Sequence, residues 1–262
     1  MCGITALISL EPTKFEARNV KSLLEKMQQY GDASTGITAY RLNEKPLLIK
    51  DIINSTKFMK KYDKQLNEIL AQEWNALILH TRQPTQGKVI IENAQPIENG
   101  KGILAHNGSV NNVEEICKTF KVKENEKYSD SWHLAQCMER YPLKAFSKST
   151  GTIRALYLEP KTNELLIMSN STSGIDMIYD KSRKLFICSN YKAILEAYYK
   201  RFRYYFGGIF EDESPIANGW NEVLKEELKS DEIIWIDFSN KALAKFDYRS
   251  DGGYACNTTG CD

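Results

Sequence analysis

The chain has 262 residues, of which 42% are hydrophobic and 26% are charged. These values are typical of a globular protein with a sizeable buried core and one large domain or two small ones. Lysine and arginine together number 35 against 34 for aspartate and glutamate, a formal net charge of +1. Because phosphate binding draws on an excess of basic charge, this composition gives no support to a nucleic-acid partner.

The first residues argue against a membrane or secretory role. Residues 1–10 are apolar, but they lack a basic leader and stop at Glu11-Pro12. Such a stretch is too short for a membrane span and wrongly flanked for a signal peptide. The six cysteines are scattered rather than arranged as a disulfide scaffold. We therefore expect a cytoplasmic, reduced protein with no membrane partner.

The first half of the chain mixes predicted strands with helices. Thr13 and Glu16 have capping-box spacing ahead of a helical repeat of apolar residues, for which Gly31 is the predicted stop. A lysine-rich helix is predicted around Phe58 and Leu66, with its lysines on a solvated face. Strands are predicted at residues 4–10, 37–40, 46–50, 76–80 and 102–105, and further helices at residues 112–120 and 130–140.

After Gly151 the pattern changes to strands at short intervals. They are predicted at residues 153–158, 165–169, 176–179, 185–188, 233–237 and 245–248, with a helix at residues 192–199. No linker or internal repeat divides the chain, so we expect one domain over residues 2–250 and a flexible tail over residues 251–262. Cys256 and Cys261 in that tail lack metal-site spacing, and we expect neither a metal nor a cofactor.

Cys2 is the first candidate for chemistry. Methionine is removed from nascent chains when the second residue is small, so Cys2 would become the N-terminal residue. Its α-amine, with an ordinary pKa of about 7.7–8.0, could then take the thiol proton directly or through one water. Taken alone, a cysteine at this position is more simply an accident of sequence.

Asn107 and Gly108 are candidates for an oxyanion hole. The side-chain amide of the first and the backbone N–H of the second could both donate to a tetrahedral intermediate. Such donors are each worth about 10²–10³ in rate in acyl-transfer enzymes. Taken alone, the pair is more simply an ordinary Asn-Gly turn.

Five short blocks follow one another along the chain. They are Cys2-Gly3-Ile4, HTRQPTQG around Arg82, Asn93-Ala94-Gln95-Pro96-Ile97, His106-Asn107-Gly108 and Ser129-Asp130-Ser131. The series resembles the class II glutamine amidotransferases, in which the blocks read MCGI, HTRWATHG, NAQP, AHNG and TD. Weaker similarity at Gly31-Asp32 and at residues 185–193 extends the resemblance over most of residues 2–195.

The resemblance implies a fold and a catalytic centre. The fold would be the α+β fold of the N-terminal nucleophile (Ntn) hydrolases, a four-layer αββα sandwich of two antiparallel sheets. Cys2 would be the nucleophile, with its own amine as the base. Asn107 and Gly108 would form the oxyanion hole.

The resemblance also implies a substrate site for L-glutamine. Arg82 would hold the α-carboxylate through a planar pair of charge-assisted hydrogen bonds, and Asp130 would hold the α-ammonium group. Thr85 would belong to a loop that closes over the substrate. Gln83 and Gln86 depart from the family block, which has Trp and His there, so a role in gating ammonia is not carried over.

Three functions are compatible with these residues. The leading hypothesis is hydrolysis of glutamine to glutamate and ammonia through a Cys2 thioester. Because no acceptor domain or nucleotide motif is recognised, we expect the ammonia to pass to a separate synthetase or other acceptor enzyme. Residues 198–206, rich in aromatics and arginine, are a candidate docking segment, although buried packing explains them more simply. The alternatives are hydrolysis of another γ-glutamyl amide and a silent scaffold that retains Met1.

Overall fold

The structure, a computed structural model, describes residues 2–171, 174–180, 185–191, 193–195, 232–248 and 254–256. Short 3₁₀ turns lie at Gln28–Tyr30 and Ile91–Asn93. In chain order the main elements are β1 (Gly3–Lys14), α1 (Ala17–Met27), β2 (Ser34–Tyr40), β3 (Leu47–Asp51), α2 (Ser55–Lys61), α3 (Asp63–Leu70), β4 (Glu73–Arg82), β5 (Ile97–Glu98), β6 (Ile103–Val110), α4 (Val113–Phe120), α5 (Asp130–Met138), α6 (Pro142–Lys148), β7 (Gly151–Glu159), β8 (Glu164–Ser169), β9 (Asp176–Asp180), β10 (Leu185–Ser189), β11 (Glu232–Asp237), β12 (Ala242–Tyr248) and β13 (Tyr254–Cys256).

The strands form two sheets. Sheet A has the order β3-β2-β4-β1-β10-β9, and sheet B has the order β13-β12-β11-β8-β7-β6-β5. Every pairing within the two sheets is antiparallel. In sheet A, β1 lies between β4 and β10, so the start of the chain is held inside the sheet rather than at its edge.

The protein has four layers in the order helix, sheet, sheet, helix, and an apolar core lies between each pair of neighbouring layers. Because successive side chains on a strand point to opposite faces, β1 contributes to two of these cores. Leu7 packs with α1–α3 outside sheet A, whereas Ile4, Ala6 and Ile8 pack between the sheets. A third core joins the outer face of sheet B to α4, α5 and α6. This is the αββα sandwich that the family resemblance implied.

The predicted capping box at Thr13 and Glu16 is wrong. β1 continues to Lys14, and Thr13 pairs with Trp74 of β4, so its backbone belongs to the sheet. Helix α1 begins at Ala17, and Glu16 occupies the N-cap position without a side-chain cap. The Glu16 carboxylate accepts a hydrogen bond from the Asn19 amide at 3.1 Å instead.

Other elements differ from the prediction in smaller ways. The lysine-rich helix is two helices, α2 and α3, that meet at Tyr62, and α6 was not predicted. Inside the expected flexible tail, residues 254–256 form β13, because their backbone pairs with that of β12. Most of the predicted helix at residues 192–199, and all of residues 198–206, lie outside the described residues. The single-domain boundary at residue 250 stays a prediction.

Candidate active site

Cys2 lies immediately before β1, at the place where β1 runs beside the end of β4. Gly3 pairs with Thr81, which brings Cys2 next to Gln83. The Gln83 backbone N–H donates to Cys2 Sγ at 3.4 Å, and the thiol donates to the Gln83 carbonyl at 3.6 Å. Burial raises the pKa of the Cys2 thiol, and the Gln83 backbone and the Arg82 charge oppose this effect. A thiol with a raised pKa is protonated near neutral pH, so it needs a base before it can attack.

Two side-chain amides hold the carbonyl oxygen of Cys2. Asn107 Nδ2 donates to it at 2.6 Å, and Asn190 Nδ2 donates to it at 2.9 Å. Asn190 Oδ1 also accepts from the backbone N–H of Ile4 at 2.8 Å, which fixes the first residues of β1. On the other side of its amide, Asn107 Oδ1 accepts from Arg154 Nη1 at 2.9 Å. Asn107 therefore lies beside Cys2, in a fixed orientation.

Gly108 follows Asn107 inside β6, so the two do not form a hairpin turn. Its φ is +145°, a conformation that residues with a side chain rarely adopt. A Cβ at this position would lie 1.7 Å from the carbonyl oxygen of Thr152 on β7. Only glycine fits here, because the strand backbones approach so closely.

Arg82 is the last residue of β4 and is only 3% exposed. Its Nη2 donates to the carbonyl of Gln86 at 2.6 Å, and its Nη1 donates to the carbonyl of Lys88 at 3.4 Å. Burial lowers the pKa of the guanidinium, whereas the charges of Cys2 and Asp130 act to raise it. The guanidinium thus interacts electrostatically with both residues and holds the loop that follows β4.

Asp130 is the first residue of α5 and is 5% exposed, so it is not an ordinary surface charge. Its Oδ2 accepts from the backbone N–H of Val110 at 2.9 Å, and its Oδ1 accepts from that of Ser131 at 2.8 Å. Its negative charge acts on the thiol of Cys2 and on Arg82. The structure thereby brings opposite charges to the surroundings of one thiol.

Thr85 lies on the loop that follows Arg82 and is exposed. Within this loop Gly87 has a φ of +69°, and a Cβ there would lie 2.7 Å from the backbone nitrogen of Ser129. The backbone N–H of Lys88 donates to the carbonyl of Lys127 at 3.1 Å. The loop therefore rests on the segment that leads into α5 and Asp130, and it leaves Thr85 in solvent.

A buried hydrogen-bond chain joins three of the sequence blocks. Gln95 Oε1 accepts from the backbone N–H of His106 at 2.6 Å, and Gln95 Nε2 donates to Ser131 Oγ at 3.3 Å. Ser131 Oγ also lies 2.9 Å from His106 Nδ1. This chain fixes the backbone beside Asn107 to the first turn of α5, so the blocks are neighbours in space.

Sequence reasoning missed Arg154 and underrated Asn190. Arg154 is the only charged residue among residues 153–158, and a charge in such an apolar strand is a usable signal because unpaired charges are rarely buried. Asn190 belongs to the segment of weaker family similarity at residues 185–193. Nothing in the sequence alone indicates that either side chain reaches Cys2 or Asn107.

Among the residues that the structure describes, no group of three or more His, Cys, Asp or Glu side chains is arranged to hold a metal ion. None of the helices in the described ranges is long and apolar enough to cross a membrane.

Residues 80–196 match the model of a family described as "Glutamine amidotransferase domain". The matched segment includes Arg82, Asn107, Gly108 and Asp130, and it begins after Cys2. A curated relative, the probable glutamine--fructose-6-phosphate aminotransferase (isomerizing) of Acanthamoeba polyphaga mimivirus, is 30% identical over 130 residues. That alignment covers 49% of this chain and 21% of the relative.

Two solved structures share the fold. One is the glutamine phosphoribosylpyrophosphate amidotransferase from B. subtilis complexed with ADP and GMP, with a TM-score of 0.67 at 16% identity. The other is described as the allosteric regulatory enzyme of purine biosynthesis, with a TM-score of 0.67 at 17% identity. Each match covers 93% of this chain and 48% of the solved chain, so this chain spans about half of their length. Together these similarities confirm the resemblance to the class II glutamine amidotransferases and the Ntn-hydrolase fold.

Proposed function

We propose that this chain, a relative of the class II glutamine amidotransferases, hydrolyses the side-chain amide of L-glutamine to glutamate and ammonia. The Cys2 sulfur attacks the amide carbon, the C–N bond breaks, and ammonia leaves with the proton that the thiol gave up. Water then attacks the resulting γ-glutamyl thioester, releasing glutamate and restoring the thiol. The observation that carries the proposal is the arrangement around Cys2, whose carbonyl oxygen accepts from the Asn107 amide and whose thiol is acted on by the opposite charges of Arg82 and Asp130.

The base in this proposal is the α-amine of Cys2 itself. Removal of Met1 would free this amine, whose ordinary pKa is about 7.7–8.0. The raised pKa of the Cys2 thiol makes such a base necessary, because little thiolate forms near neutral pH without one. The amine can accept the thiol proton and later deliver it to the leaving nitrogen.

The oxyanion of the tetrahedral intermediate would be held by Asn107 and Gly108. The Asn107 NH₂ group carries two hydrogens, and its contact with the Cys2 carbonyl at 2.6 Å uses one of them. The intermediate forms on the sulfur of the same residue, so the donor is already near the place where charge develops. The backbone N–H of Gly108 is the proposed second donor.

The two charged groups of the substrate would be held by Arg82 and Asp130. A guanidinium has five N–H donors, and the contacts of Arg82 with the carbonyls of Gln86 and Lys88 use two of them. The α-carboxylate of glutamine would bind to this guanidinium, and the α-ammonium group would bind to Asp130. Thr85 would contact the substrate when its loop closes. Holding both charged groups places the side-chain amide over Cys2.

The ammonia would pass to a separate acceptor enzyme in the cytoplasm. Ammonia released into neutral water is mostly protonated and no longer nucleophilic, so direct transfer to a docked acceptor preserves it. A reducing compartment suits a chain whose six cysteines are scattered rather than arranged as a disulfide scaffold.

Intact mass spectrometry combined with active-site labelling tests the proposal. We expect the purified protein to be lighter by one methionine and to take up one equivalent of a glutamine-analogue electrophile at Cys2. A chain that keeps Met1 and takes up no label would instead be a silent scaffold.

Substrate competition separates glutamine hydrolysis from the hydrolysis of other γ-glutamyl amides. We expect kcat/KM to be higher for glutamine than for γ-glutamylcysteine-type substrates. The reverse order would assign the chain to hydrolysis of those compounds and overturn the amidotransferase proposal.

A further inference from the structure

Arg154 carries a buried charge beside the proposed oxyanion donor. It lies on β7, where its backbone pairs with Asn107 of β6 on one side and with Ser169 of β8 on the other. The residue is 7% exposed. Its Nη1 donates to Asn107 Oδ1 at 2.9 Å, and its Nη2 donates to Ser171 Oγ at 3.1 Å. A buried guanidinium needs such partners, and here one of them is the Asn107 amide.

We propose that Arg154 is a positioning residue for catalysis that fixes the Asn107 amide with its NH₂ group toward Cys2. This inference rests on the proposed glutamine hydrolysis. Arg154 lies outside the five sequence blocks and acts through Asn107 rather than on the substrate.

The direction of the Asn107 amide follows from hydrogen-bond chemistry. A guanidinium can only donate, and the Cys2 carbonyl can only accept. If the amide were turned by 180°, its NH₂ group would face the Arg154 donors and its oxygen would face the Cys2 carbonyl. Both contacts would be lost and replaced by repulsion. Arg154 and Cys2 therefore select the same orientation from opposite sides.

The contact with Arg154 keeps the Asn107 amide in place during the reaction. Asn107 must then donate to the oxygen of the tetrahedral intermediate through the second hydrogen of its NH₂ group. The contact with Arg154 lies on the far side of the amide and does not compete with the substrate. A charged donor on Oδ1 also polarises the amide, which makes its N–H groups stronger donors toward a developing negative charge.

A kinetic double-mutant cycle with R154M, N107A and the double variant tests this inference. We expect R154M to lower kcat for glutamine by about 10-fold to 100-fold, with KM changed by less than about threefold, since donors of this kind are worth about 10²–10³. In the N107A background, R154M should lower kcat by less than about a further threefold, because the amide that Arg154 positions is already absent. Equal losses in both backgrounds would overturn the inference while leaving glutamine hydrolysis standing. Absence of activity in the wild-type chain would overturn both.

S171A is the matched control for a merely structural effect. It removes a second side-chain partner of Arg154 and leaves the contact with Asn107 in place. We expect S171A to lower kcat by less than about threefold, and R154K to recover part of the loss seen in R154M, because lysine keeps a charged donor. Thermal unfolding of each variant shows whether it is folded, and R154K replaces R154M in the cycle if R154M is not. An S171A loss as large as that of the Arg154 variant would also overturn the inference.

Discussion

The side-chain amide of Asn107 donates to the carbonyl oxygen of Cys2 at 2.6 Å, across 105 positions of the sequence. Asn107 belongs to β6 in sheet B, whereas Cys2 precedes β1 in sheet A. One hydrogen bond therefore joins the two sheets at the proposed catalytic centre. Cys2 and its amide donor hold their relative positions only while the sandwich is intact.

Replacing Asn107 tests its proposed role as the oxyanion donor. We expect N107A to lower kcat for glutamine by about 10²–10³, with a smaller change in KM, because the donor acts on charge that develops in the transition state. N107D has nearly the same shape but places an acceptor where the NH₂ group was, so it should be at least as impaired. Initial rates over a range of glutamine concentrations measure both effects. A kcat within about threefold of wild type in N107A would exclude Asn107 from the oxyanion hole.

Replacing Arg82 tests its proposed role in binding the substrate carboxylate. We expect R82M to raise KM for glutamine by at least about 10-fold, since a buried charge-assisted pair with the substrate is lost. The α-amide of glutamine, which lacks the carboxylate, should be a poor substrate of the wild type and should lose little further in R82M. Equal loss on both substrates would assign Arg82 to loop support, through its contacts with Gln86 and Lys88, and not to the substrate.

Replacing Gly108 tests the backbone of β6. In G108A a Cβ would lie 1.7 Å from the Thr152 carbonyl at a φ of +145°, so we expect a loss of about 3 kcal/mol or more in the free energy of unfolding. Gly100 is the matched control, because its φ is +83° but its nearest atom to a Cβ is the Glu139 Oε1 at 3.3 Å. G100A should lose only about 1–2 kcal/mol, the strain of a left-handed residue. Urea unfolding measures both losses. Equal free energies of unfolding for G108A and G100A would contradict this account.

His80 predicts a pH dependence of stability. It is fully buried, its Nε2 donates to the His106 carbonyl at 3.1 Å, and burial lowers the pKa of its imidazole to about 3. The unfolded imidazole titrates near its ordinary pKa of about 6.5, so the unfolded chain binds one more proton between these values. The contribution of neutral His80 to the free energy of unfolding is therefore complete above about pH 6.5. It is lost as the pH falls toward 3, by up to about 1.4 kcal/mol per pH unit.

H80Q isolates this contribution because glutamine can donate to the same carbonyl but does not titrate. We expect its urea midpoint to fall less steeply than that of the wild type between about pH 6.5 and pH 4.5. Burial also lowers the pKa of His106, so part of the slope should remain in H80Q. Identical slopes in the two proteins would show that His80 is not held neutral by the fold.

Much of the architecture could be predicted because apolar strands and sequence blocks are local signals. Strand β1 is buried on both faces, with Ile4, Ala6 and Ile8 on one face and Leu7 on the other. Such a continuous apolar run can be recognised in the sequence. Thr13 could not be placed correctly, because its pairing with Trp74 in β4 outweighs a short-range capping pattern.

The side chains that fix Cys2 and Asn107, namely Asn190 and Arg154, could not be predicted for a related reason. Arg154 meets Asn107 only through the register of β6 against β7, and Asn190 reaches Cys2 only because β10 lies beside β1. These are relations between distant segments, which no local pattern specifies. The blocks around Cys2, Arg82, Asn107 and Asp130 could be predicted only because their types and order match a known family.

The most direct measurement is the release of glutamate from glutamine by C2A. We predict that this variant falls to background, because it lacks the thiol that attacks the amide, while its thermal unfolding stays close to wild type. C117A, which removes a buried cysteine in the core beneath α4, should keep near wild-type activity. Glutamate release by C2A at the wild-type rate would contradict the central claim that Cys2 is the nucleophile.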